Sequence, residues 1–183
     1  MKLRIVYIAV ITTFFLSIGL AREYEKYLPP NELADTAIRG PSKDTILTGK
    51  IKPKKLVEYA KTLIGTPYLY GSIDPSKGFD CSGFITHVFN HFHIKVPRSS
   101  VDFTNVGKKI VAKKAKPGDL ILFTGTDSTI KRVGHMGIIV SNDQGDIKFI
   151  HSSSGKGKGV VITAFENYYK SRFIKVIRVF RDK

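Results

Sequence analysis

Residues 78–89 read GFDCSGFITHVF and hold Cys81, the single cysteine of the 183-residue chain. Asp80 is a good helix N-cap, because its carboxylate can accept the free amides of a first turn. The stretch therefore predicts a helix from Cys81 to about Phe92. Advancing about 100° per residue from Cys81, Phe84, Ile85, Val88, Phe89 and Phe92 fall within about 80° of it. The thiol points with the apolar stripe, towards whatever the helix packs on. A helix N-terminus favours a thiolate through its unsatisfied amides, and the same amides can hold an oxyanion. A buried structural cysteine could occupy the same position, so the stretch alone leaves the purpose of the thiol open.

Working outward, PKKLVEYAKTLIG at 53–65 carries Leu56, Val57, Ala60, Leu63 and Ile64 at helical spacing and stops at Gly65. Beyond Pro97 the pattern changes. Short β-type runs at 119–123, 133–141, 146–152, 159–163 and 173–180 are separated by Asn, Asp and Gly, the first following the turn signal Lys116-Pro117-Gly118. Helices first and strands afterwards predict an α+β fold, with N-terminal helices packed on a C-terminal antiparallel sheet of about five to six strands.

The N-terminus reads differently. Lys2 and Arg4 precede a mostly apolar run at 5–20 that ends in Gly19-Leu20-Ala21. The run is shorter than the ~20 apolar residues a bilayer span needs and is broken by Thr12, Thr13, Ser17 and Gly19. Residues 1–21 are therefore expected to be a secretory signal peptide cleaved near Ala21, placing the protein in the periplasm or outside the cell. Residues 22–50, with Pro29-Pro30 and Gly40-Pro41, read as an irregular leader, and 51–183 as one domain. In an oxidising compartment cysteines usually pair, and one cysteine cannot close an internal disulfide. The thiol is either buried and inert or kept for its chemistry.

The formal charge is +15, and loss of Lys2 and Arg4 with the signal leaves +13. This balance favours a polyanionic partner. Without a nucleic-acid-binding motif, an exported chain is expected to meet anionic cell-envelope polymer rather than nucleic acid, and to do so as a monomer. No cofactor is implied. His87 and His91 have the i, i+4 spacing of a metal clamp but no third ligand at a recognised spacing, so no metal is expected. Lys156 and Lys158 in GKGKG read as a basic hairpin turn, since no helix follows to make a phosphate loop.

A nucleophilic thiol needs a base. His87 and His91 lie too far along the helix to meet Cys81, and His93 falls at the helix end. His135 and His151 each sit in a β-type run, and the intervening NDQG at 142–145 reads as a hairpin loop. For a four- or five-residue loop, paired residues have numbers summing to about 286 or 287, which sets the two imidazoles nearly opposite, with Cβ atoms roughly 5 Å apart. They form either a relay, with His135 as base for Cys81 and His151 fixing its tautomer, or two polar residues on a solvent-facing strand pair. The spacing does not choose.

The ordered motifs GTPYLYGS, FDCSGFITHVF, VPRSS, KPGDLILF, GHMGIIV and FIHSSSGKGKGVVIT resemble those of the NlpC/P60 cysteine peptidases, papain-like enzymes that cut the peptides of bacterial cell walls. The resemblance runs over about 53–180. It implies that Cys81 is the nucleophile, His135 the general base and His151 the residue that orients it. It further implies that Tyr68 lines the oxyanion site, with Tyr70 where tryptophan is common, and that Asp80 and Ser82 receive the free amine of a stem peptide. The expected substrate is a peptidoglycan stem peptide or cross-link, with the bond from D-glutamate to a diamino acid favoured. A CHAP-type amidase and a wall-binding module with a dead site are the alternatives. His151 in FIHSS speaks against the first, and three filled catalytic positions speak against the second.

Overall fold

The computed structural model describes residues 46–155 and 159–181. The expected signal peptide, most of the leader, and Lys156 and Lys158 lie outside these residues. The last leader residues are described, and Ile46 and Thr48 are buried against the domain.

Helix α1 (Pro53–Thr62) starts with proline in its first turn, where a missing N–H costs nothing. It buries Leu56, Val57 and Ala60 and ends a turn before the expected Gly65. A two-stranded ribbon, β1 (Ile73–Asp74) and β2 (Gly78–Phe79), follows. Helix α2 (Cys81–Asn90) starts at the predicted residue, with the Asp80 carboxylate accepting from Gly83 N–H at 2.5 Å. It stops short of Phe92 because His93 adopts φ 58°, and the amides of His93 and Ile94 return to the carbonyls of Asn90 and Phe89. The wheel predicted one apolar stripe, yet Ser82, Gly83 and Thr86 are buried along with Phe84, Ile85, Val88 and Phe89. The helix is enclosed on most sides.

The main sheet is antiparallel, in the order β3 (Lys108–Ile110), β8 (Phe173–Arg178), β4 (Leu120–Thr124), β5 (Val133–Asp143), β6 (Asp146–Ser153), β7 (Gly159–Ala164). The edge strand β3, Lys-Lys-Ile, carried no periodicity from which to predict it. All of β4 is buried, because both faces are covered. Leu120 and Leu122 meet the helices, while Ile121 and Phe123 join Ile139, Ile147, Phe149 and Val176 on the far side, under Phe165, Tyr169 and Phe173. Short helix α3 (Asn167–Ser171) carries Tyr169 onto that second face.

The β5–β6 hairpin departs from the expected loop. Its connection is the two residues Gln144 and Gly145, both at positive φ (51° and 107°), as a tight turn between twisted strands requires. A bulge between Ile139 and Ser141 separates the pairs Asn142↔Ile147 and Ile138↔Ile150, so partner numbers sum to 288 or 289 and not 286 or 287. One step past the last pair, His151 lies beside Gly137, where an added Cβ would come within 3.1 Å of the His151 Cβ, one diagonal step from His135. A slip of one residue would have put the two rings on opposite faces; a slip of two keeps them together.

Candidate active site

Cys81 opens α2 and is half-buried. Two close approaches place the start of this helix. A Cβ on Gly83 would overlap the carbonyl oxygen of Ser72, so only glycine allows α2 to lie this near the loop before β1. On the sheet side, the pairing of β5 with β6 ends at Ile138↔Ile150, which leaves residues 133–137 unpaired along that edge among the described residues. The thiol faces this open stretch of strand, and its Sγ lies 3.9 Å from the carbonyl oxygen of Gly134, the residue before His135.

The two strand histidines meet directly. Nε2 of His135 is 2.9 Å from Nδ1 of His151, with the rings nearly perpendicular. Nε2 of His151 in turn lies 3.0 Å from Oγ1 of Thr163 on β7 and 3.5 Å from the Tyr169 hydroxyl. Nδ1 of His135 makes no hydrogen bond among the described residues. If that nitrogen is to accept the Cys81 proton, Nε2–H of His135 donates to His151, and Nε2–H of His151 donates to Thr163. One tautomer assignment satisfies the whole chain.

Both rings belong to the second face of the sheet, among Phe123, Phe149 and Tyr169. The solvent-facing alternative is therefore wrong: His151 is fully buried. Burial moves its pKa from the usual 6.5 down to about 4, with the buried Arg172 guanidinium pushing the same way. His135 is displaced well below its usual value by burial, then by His151 and Arg172. Both imidazoles are neutral at pH 7. Arg172 itself donates Nε and Nη2 to the carbonyls of Gly125 and Thr124, pinning the start of the β4–β5 loop.

The thiol corrects one expectation. Desolvation and then the Asp80 carboxylate raise its pKa, outweighing the lowering by the amides of Ser82, Cys81 and Met136. The helix terminus softens the shift without reversing it, and the resting cysteine is a thiol.

Asp80 does more than cap. Arg98 donates Nη1 and Nη2 to its two carboxylate oxygens at 3.1 and 2.7 Å, and Nη1 also reaches Ser82 Oγ at 3.0 Å. Ser82 Oγ donates to Asp80 Oδ1 at 3.3 Å. Both oxygens are thus committed to groups of this chain. Tyr68 bridges to Phe79 through its backbone. Burial raises its phenol pKa, and the charges of Cys81 and Asp80 add to the rise, so the hydroxyl belongs to the same electrostatic neighbourhood. Tyr70 is 87% exposed.

The structure thus brings Cys81, His135, His151, Tyr68, Asp80 and Ser82 to one place. His87 and His91 belong elsewhere: His87 meets the Tyr59 hydroxyl at 3.0 Å and His91 stacks on the Tyr59 ring, joining α1 to α2. No three His, Cys, Asp or Glu side chains converge on a metal position among the described residues. Sequence reasoning missed Thr163, Tyr169, Arg172 and Arg98. Only Arg98 left a trace, in VPRSS; the others are brought in by strand pairing that has no local signature.

Residues 65–178 match the family described as NlpC/P60. Over 132 residues the chain is 34% identical to the gamma-DL-glutamyl hydrolase of Bacillus subtilis, covering 69% of this chain and 30% of that one. It is 38% identical over 118 residues to a probable endopeptidase of Haemophilus influenzae (63% and 67%). It is 34% identical over 131 residues to the murein DD-endopeptidase MepS/murein LD-carboxypeptidase of Escherichia coli (70% and 63%). The chain therefore spans less than a third of the first of these relatives and about two thirds of the other two. Among solved structures, the NlpC/p60 domain of the peptidoglycan hydrolase SagA superposes with TM-score 0.57 at 26% identity, covering 70% of this chain and 99% of that one.

Proposed function

The chain belongs to the NlpC/P60 family, and from that premise we propose that it is an exported cysteine endopeptidase that hydrolyses amide bonds in peptidoglycan stem peptides or cross-links. The observation that carries the reading is the contact of His135 Nε2 with His151 Nδ1 at 2.9 Å, on the strand whose Gly134 carbonyl touches the thiol of Cys81. It leaves Nδ1 of His135 without a hydrogen bond among the described residues, and in this reading that nitrogen takes the proton of Cys81.

The chemistry is acyl transfer. Cys81 Sγ gives its proton to His135 Nδ1 and bonds to the amide carbonyl carbon, while the oxyanion is held by the first amides of α2 and the Tyr68 hydroxyl. His135 then protonates the leaving amine as the C–N bond breaks. Water attacks the thioester, its proton passes to His135, and the acid departs as Cys81 regains its thiol. His151 holds His135 in the required tautomer throughout. The bond from D-glutamate to a diamino acid is favoured, and the name of the Bacillus relative, a gamma-DL-glutamyl hydrolase, agrees with the glutamyl side of that bond.

A free stem amine recognised by Asp80 and Ser82 has to share them with Arg98, so stem peptides with free and acetylated N-termini should be compared. The charge of +13 left after loss of Lys2 and Arg4 supports a second contact with anionic wall polymer by a monomeric enzyme.

The test is digestion of purified peptidoglycan by the chain lacking residues 1–21 and by its Cys81→Ala variant, with fragments read by mass spectrometry. Fragments released only by the unsubstituted protein are expected, and their masses name the bond. Equal release by both would remove Cys81 as nucleophile.

A further inference from the structure

Next to the thiol, a cleft of about 380 Å³ opens between the residues after Arg98 and the β4–β5 loop. Ser99, Ser100, Ile130, Arg132 and Gly134 are among its walls, and Gly134 is the residue whose carbonyl touches Cys81. The cleft and the nucleophile therefore meet at Gly134.

The loop that forms the far wall is anchored. Its first residues are held by Arg172, and its two ends approach so closely that a Cβ on Gly134 would come within 2.7 Å of Gly125 N. Asp127, inside the loop, spends one carboxylate oxygen on the amide and hydroxyl of Thr129 at 2.8 and 2.6 Å. Lys131 donates to the Ser128 carbonyl.

Among the described residues, three arginines near the thiol or the cleft are not equivalent. Arg98 is bidentate on Asp80 and bonded to Ser82. Arg172 is buried and donates to two carbonyls. Arg132 lines the cleft with a guanidinium that makes no ion pair or side-chain hydrogen bond among the described residues. Asp127 lines the cleft too, but one of its carboxylate oxygens is turned onto Thr129. A planar, unspent guanidinium in a cleft that Ser99, Ser100 and the apolar Ile130 also line fits a carboxylate on a short aliphatic stem.

We propose that Arg132 is a specificity residue that binds a substrate carboxylate flanking the scissile amide in the cleft beside Cys81. This rests on the peptidase reading above. The carboxylate belongs either to the acyl residue or to the amine residue of the scissile bond, and the same chemistry serves both.

The experiment uses synthetic stem peptides in pairs, each flanking carboxylate replaced in turn by a carboxamide, assayed with the unsubstituted protein, Arg132→Gln and Arg132→Lys. One charge-assisted pair corresponds to about tenfold or more in kcat/KM. The unsubstituted protein should prefer one carboxylate peptide over its carboxamide twin by that factor, expressed in KM. Arg132→Gln should bring that peptide down to the rate of its twin, and Arg132→Lys should fall between. The position at which the preference vanishes tells which carboxylate is bound. Equal loss by Arg132→Gln on both members of every pair, or no loss on any, overturns the proposal while leaving the peptidase reading intact. Hydrolysis undiminished in Cys81→Ala overturns the reading itself. Thermal melting of the variants separates loss of recognition from loss of fold.

Discussion

The buried His151 makes stability acid-sensitive in a way that can be calculated. His151 has a folded pKa of about 4 against 6.5 for the free side chain. Because the folded value is the lower one, the unfolded chain binds the proton first as pH falls. The contribution to stability is present above pH 6.5, declines below it, and stops changing below about 4. For one such group the loss relative to neutral pH is about 2 kcal/mol at pH 5 and about 3 kcal/mol at pH 4. His135, displaced in the same direction, adds to it. Urea unfolding at about pH 7, 6, 5 and 4 on the unsubstituted protein and on His151→Asn reads the term. The asparagine lowers stability by a roughly constant amount through lost packing, whereas the titrating term changes with pH, so the gap between the two curves should narrow by about 2 kcal/mol between pH 7 and 5. Parallel curves would show that His151 is not held neutral by burial, and the electrostatic account of the site would fail with it.

The resting pair of neutral thiol and neutral imidazole predicts a broad plateau in kcat/KM, with its acid limb below pH 6.5 and its alkaline limb above the ordinary thiol range, since His135 is displaced down and Cys81 up; an acid limb centred above 6.5 in the rate profile would contradict it. Gly83→Ala sets a methyl group into the Ser72 carbonyl and should cost about 3 kcal/mol or more in denaturant unfolding, with loss of activity as the start of α2 is displaced. Thr163→Val removes the nearest partner of His151 Nε2 and should cost about 1 to 3 kcal/mol, with a fall in kcat and little change in KM, because the relay loses its terminus while the cleft is untouched. Arg172→Met should raise the pKa of His151 towards 6.5, which the pH titration of its ring proton resonances follows.

Much of this was legible locally. Asp80 followed by Cys81 and an apolar run fixes where α2 begins, because capping and helical period are properties of a few consecutive residues. The strands beyond Pro97 announce themselves by β-type composition between turn residues, and the shared face of His135 and His151 follows from the two-residue period of a strand, which survived an error of two in the register. What the chain could not state locally was set by contacts between distant segments. The bulge at Val140 and the Gln144-Gly145 turn decided which residues pair. The start of β5, which has no β6 partner along its second edge among the described residues, decided that the thiol meets the strand there, and the packing of β7 and α3 on the second face supplied Thr163 and Tyr169. The sign of the Cys81 shift was likewise a tertiary outcome. A helix terminus lowers a thiol pKa by a local field, but desolvation is the sum over everything that covers the sulfur, and only the folded chain determines that sum.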